Sequence, residues 1–108
     1  MSYPSPMDQL PTDMAAPVGA IELAPNLESL MRLAFYHAET QPDFLNCIVS
    51  AYALCATDTF IPAQYRQLSQ ISEWALGRIE ALPEPSPVIL DQARSKDAAV
   101  QAFIKQRI

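Results

Sequence analysis

Glycine is nearly missing from this chain: Gly19 and Gly77 are the only two in 108 residues. Hairpin-rich β architecture needs residues that accept positive φ, so this scarcity argues against it. Neither glycine lies in a strand-to-helix turn, which removes the phosphate-cradling loops as well. A basic surplus is also lacking, with seven basic against twelve acidic residues and a net charge of −5. Such a chain has little with which to replace phosphate counterions, and nucleic acid is excluded as an expected partner. No apolar run approaches the roughly 18 residues of a membrane span, so no membrane partner is expected. The opening Met-Ser-Tyr-Pro-Ser-Pro has neither the basic start nor the apolar core of a secretory signal. The length suits one small domain and is too short for a (β/α)₈ barrel or a full dinucleotide-binding fold.

What the chain has in quantity is proline, ten residues at positions that organise the rest. None falls inside a stretch of helical periodicity, and several stand where a helix would begin, where a missing N–H is harmless. Residues 1–25 hold five prolines and no basic residue. Met7, Leu10, Met14, Val18, Ile21 and Leu23 are spread along this stretch. It reads as an extended or disordered N-terminal arm: either a disordered leader, or an arm that becomes ordered by lying on its own bundle or on a neighbour.

Residues 26–108 read as a helical bundle. The first helix is expected over 27–40, with Asn26 as N-cap and Glu28 in the first turn. Leu27, Leu30, Met31, Ala34, Phe35 and Ala38 form its apolar stripe. The second, over 42–56, is apolar almost all round, with Asp43, Asn46, Ser50 and Thr57 as a narrow polar stripe. A helix of that kind is covered on most sides, which makes it the central element. The third, over 62–82, carries Tyr65, Leu68, Ile71, Ala75, Ile79 and Leu82 inward, interrupted by Ser72. Residues 83–87 alternate proline with polar residues and predict a stiff connector. Ser86 caps a fourth helix over 87–106 with Ile89, Ala93, Val100, Phe103 and Ile104 inward. The expectation is an all-α fold: a small four-helix bundle preceded by an extended proline-rich N-terminal arm.

Chemical motifs are sparse. Cys47 and Cys55 sit eight residues apart in one helix, about 12 Å along its axis, beyond disulfide reach. They match no zinc spacing, and their apolar flanks mark them as small buried hydrophobes. Unpaired thiols favour a cytoplasmic or other reducing compartment. His37 falls at the edge of the first helix's apolar face and is read as a boundary histidine with an ordinary hydrogen bond. The carboxylates do not cluster, and Asp97 is the one charge close to the apolar face of the fourth helix. No catalytic, metal or cofactor site is expected.

The most informative residues lie on the third helix away from its core stripe. Ala63, Gln67, Gln70, Trp74, Gly77 and Ala81 recur at spacings of four and three, a heptad-like seam. An exposed mid-helix glycine costs about 1 kcal/mol relative to alanine, and an exposed tryptophan forgoes a large burial gain. Together they predict that another segment approaches this face, either the arm or a second copy of the chain. With Leu10, Met14, Ile21 and Leu23 of the arm, these residues form the expected protein-binding set. The function expected is a non-catalytic protein–protein interaction or assembly protein, its partner another protein or a second copy of the chain in a homo-oligomer. An adaptor, a small chaperone, an inhibitor or immunity protein, or a subunit of a particle such as a phage component would each fit. The alternative is a small enzyme or cofactor-binding bundle using His37 and a cysteine. A helix-turn-helix around residues 57–60 ranks last for want of basic support.

Overall fold

The computed structural model describes residues 22–107. Its regular elements are α1 (Leu27–Arg32), which runs directly into a π-helical turn (Leu33–His37), then α2 (Gln41–Thr57), α3 (Pro62–Glu80) and α4 (Pro87–Arg107). The chain therefore forms the all-α four-helix bundle that its periodicity predicts. Most of the arm expected over residues 1–25, including Leu10, Met14 and Ile21, lies outside the described residues.

The helix starts follow from local chemistry. Asn26 accepts a hydrogen bond from the Ser29 N–H at 2.8 Å and so satisfies one of the free donors of α1. At α2, Thr40 and Asp43 form a reciprocal capping box. The Asp43 carboxylate accepts from the Thr40 and Glu39 backbone N–H groups, each at 3.0 Å. Burial pushes the Asp43 pKa up, but these bonds outweigh it and hold the carboxyl below its ordinary value. Pro62 opens α3, and Gln64 reaches back to accept from the Ile61 N–H at 3.2 Å. Ser86 accepts from the Ile89 N–H, while its own N–H donates to Gln41 at 2.9 Å. That second bond pins the proline connector to the start of α2.

The first helix differs from expectation. It does not continue as α-helix to residue 40 but widens after Arg32, with the Ala38 N–H bonded to the Leu33 carbonyl at 2.7 Å. The wider turn leaves Phe35 63% and Tyr36 77% exposed, although Phe35 matches the core spacing of a regular helix.

The centre of the bundle is α2, which packs against α1, α3 and α4. Phe44, Leu45, Cys47, Ile48, Ala51, Leu54 and Cys55 are all buried on it. Its polar stripe does not simply face water. The Ser50 hydroxyl is fully buried and donates to Asn46 at 2.7 Å. It also accepts from the Ala24 N–H at 3.0 Å, and the Asn46 amide donates to the Glu22 carbonyl at 2.8 Å. Residues 22–24 thus lie along the stripe, so a fourth side of α2 is covered by backbone. Side-chain amides and hydroxyls satisfy the main chain there, as burial requires.

A second polar cluster joins α3 to α4. Ser72 is fully buried, and its hydroxyl donates to Asp97 at 2.7 Å. Gln101 donates to the same carboxylate oxygen at 3.1 Å and to the Ser69 carbonyl at 3.2 Å. The serine that interrupts the core stripe of α3 and the charge nearest the core of α4 are therefore each other's partners. Replacing Asp97 by Ala orphans a buried hydroxyl, with an expected loss of about 1–3 kcal/mol in urea unfolding. The double variant Ser72→Ala/Asp97→Ala removes both partners and should lose less than the two single losses combined. Simple additivity would show that the pair is not coupled.

Candidate protein-binding face on the third helix

Ala63 and Ala81 each stand nine residues from Ser72, half a turn away at 100° per residue. The seam containing them consequently points away from α4, and α2 occupies the flank between. Trp74 is 40% exposed. Its inner edge rests on buried Phe44, with ring centroids 5.5 Å apart and planes at 81°, an edge-to-face contact. The Arg78 guanidinium lies 5.4 Å from the same Phe44 centroid. The tryptophan is anchored from below and open above.

The other bank of the site comes from the first helix and its π turn. Because α1 rests on α2 and makes little contact with α3, a cleft of about 270 Å³ opens between them. Met31 and Phe35 form one wall, and Gln67, Gln70, Ile71 and Trp74 form the other. It leads into a more open depression of about 450 Å³ bordered by Leu27, Tyr36 and Gln64. The lining is mostly apolar and sulfur-bearing or aromatic, with glutamine amides as its polar groups. Side chains of this kind suit contact with another protein segment.

The expected binding residues divide into three groups. Gln67, Gln70 and Trp74 line the cleft. Ala63, Gly77 and Ala81 are exposed on the same side of α3 without lining it. A Cβ built on Gly77 would meet nothing within 4 Å, so no described residue makes the close approach that the seam predicts. Leu23 is 41% exposed in the segment that follows the polar stripe of α2. Sequence reasoning missed Phe35 and Tyr36 as surface residues, whereas Met31, expected on the apolar stripe, is half-buried against the core and also lines the cleft. Adjacent aromatics at 35 and 36 cannot both share one narrow stripe, which was the available signal.

The residues considered for chemistry are not gathered into a site. His37 is exposed at the end of the π turn, whereas Cys47 and Cys55 are buried in α2. Burial, reinforced by the nearby charge of Asp43, pushes the Cys47 thiol up to about 12. Burial pushes Cys55 up to about 11, against a smaller opposing effect of Arg107. The thiolate is the nucleophile and metal ligand, and both environments disfavour it. Among the described residues no group of three or more His, Cys, Asp or Glu could hold a metal ion. No helix among them is long and apolar enough to cross a membrane. Compared with protein-family models, curated proteins and solved structures, the chain matches none.

A thiol-reactive dye at pH 8 should modify neither cysteine of the native protein at an appreciable rate and should modify both in urea. Rapid labelling of the folded protein would contradict the burial. The same shifts give an alkaline limit. The unfolded thiols ionise near their ordinary value of 9.0 while the native ones hold their protons to about 11 and 12. Their contribution to stability is complete below 9.0 and is lost as pH rises through the native values.

Proposed function

We propose that this chain is a non-catalytic protein–protein interaction or assembly protein whose contact surface is the outer face of α3 together with the cleft beside α1. The observation that carries the reading is the exposure of Trp74 and Phe35 across one apolar cleft. Aromatic residues anchored from below and ringed by less costly contacts are the usual centres of protein interfaces. Exposed singly they would need no explanation, but here two of them wall a single concave site.

The composition supports the same direction. A net charge of −5 weighs against nucleic acid, and the buried thiols weigh against a cysteine nucleophile paired with His37. An adaptor, a small chaperone, an inhibitor or immunity protein, or a subunit of a larger particle such as a phage component would each use such a face. The free thiols fit a reducing compartment. In the arm, Leu10, Met14 and Ile21 would add apolar contacts at the edge of the same interface, and Leu23 lies where the described chain begins.

Affinity capture from the native cell, read by mass spectrometry, tests this with three baits: wild type, Trp74→Ala and Phe35→Ser. A specific partner should be retained by wild type and lost or weakened about tenfold or more by each substitution. Both variants should keep the helical circular dichroism of the parent, because neither side chain is fully buried. Equal retention by all three baits would contradict the reading.

A further inference from the structure

We infer that the partner on this face is a second copy of the chain, with its α3 lying antiparallel to the first about a two-fold axis. The inference rests on the reading of α3 as the contact surface and adds the occupant and its register. The seam is self-complementary when reversed. Turned about the level of Ser72, it sets Gln67 against the partner's Gly77, Gln70 against the partner's Trp74, and Ala63 against the partner's Ala81. At each of the central levels a longer side chain meets a shorter one. The space over Gly77, where no described residue comes within 4 Å of an added Cβ, is where the partner's Gln67 would lie. A parallel alignment would instead stack Trp74 on Trp74 and leave Gly77 facing Gly77, a collision beside a void.

The flanks agree with the reversed register. On the solvent side, Arg66 comes opposite the partner's Glu80, and symmetry makes this contact twice. Glu80 already holds Arg94 of its own chain at 3.0 Å, so the partner's Arg66 would extend an existing ion pair into a network. On the other side the clefts of the two copies face each other across the axis, each with its Ile71 floor already buried within its own chain. Met31 and Phe35 of each copy then line one continuous apolar space. An isologous contact of this kind is what a two-fold dimer requires. One pair is unfavourable: Glu73 faces the partner's Glu73 close to the axis.

The test begins with the mass of the full chain by light scattering across a concentration series. Twice the 11.9 kDa of one chain is expected at high micromolar concentration. Gly77→Leu should weaken the dimer tenfold or more without lowering the melting temperature of the monomer, since the fold leaves room for the side chain. Glu73→Gln should tighten it. Under oxidation Gln67→Cys/Gly77→Cys should give a covalent dimer on a non-reducing gel, and neither single variant should. The two positions are about 15 Å apart along one helix, so they cannot bridge within a chain. Native Cys47 and Cys55 are buried and do not compete.

Cross-linking of the single variants would indicate a parallel register and overturn the proposal. A dimer indifferent to Gly77→Leu and Trp74→Ala would use another face and overturn it too. A strictly monomeric chain would overturn it outright. If that monomer still loses a captured partner on Trp74→Ala, the contact surface stands and only the second copy falls. If deleting residues 1–20 from the monomer exposes Trp74 further, the occupant is the arm, and the dimer is again excluded.

Discussion

The bundle depends on the burial of α2 on every side that its sequence makes apolar, and on one that it makes polar. Full burial of a leucine- or phenylalanine-sized side chain contributes about 1.5–3 kcal/mol, and α2 buries several. No pair of helices could cover it, so α1, α3 and α4 are all held to the same axis. The stripe left over, Asn46 and Ser50, is closed by the backbone of residues 22–24 through hydrogen bonds to its side chains. Because those bonds need no particular side chain on the covering segment, an irregular stretch can complete the core of a helical protein.

The same constraint explains why a face remains free. With α1, α3 and α4 gathered on α2, the outer side of α3 has no element over it among the described residues. The π turn then adjusts what borders that side. One wider turn at Leu33–His37 moves Phe35 off the core and leaves it as the wall of a cleft whose other wall is Trp74. Such turns recur at functional sites because they redirect side chains without ending a helix. The salt bridges contribute little by comparison: Arg32–Glu28 and Arg94–Glu80 are largely solvated pairs.

The architecture was legible because each helix carries its own punctuation. Asn26, Thr40 with Asp43, Pro62 and Ser86 with Pro87 all act at or beside the starts that proline placement and capping chemistry indicate. The buried thiols were legible from their apolar flanks. The π turn was not, since no residue of Leu33–His37 marks the change from α to π hydrogen bonding. Nor could the partner of Asp97 be read, because Ser72 lies twenty-five residues away and neither residue alone calls for the other. The narrow polar stripe of α2 was visible, but its use as a bed for residues 22–24 depends on a tertiary contact. Half of the candidate site, the α3 seam, could be found from spacing alone. For the other wall, the adjacent aromatics at 35 and 36 signal only that one of them leaves the stripe, and the cleft itself depends on how α1 and α3 sit on α2.

Trp74 is the only tryptophan, so emission excited at the red edge, where the four tyrosines do not absorb, reports on this face. Its emission maximum, followed through dilution and through addition of any captured partner, addresses the contact surface most directly. The account predicts the spectrum of a partly hydrated indole at high dilution, moving to shorter wavelength together with the rise in molecular mass. An emission maximum that stays fixed while mass increases, or while a partner binds, would contradict it.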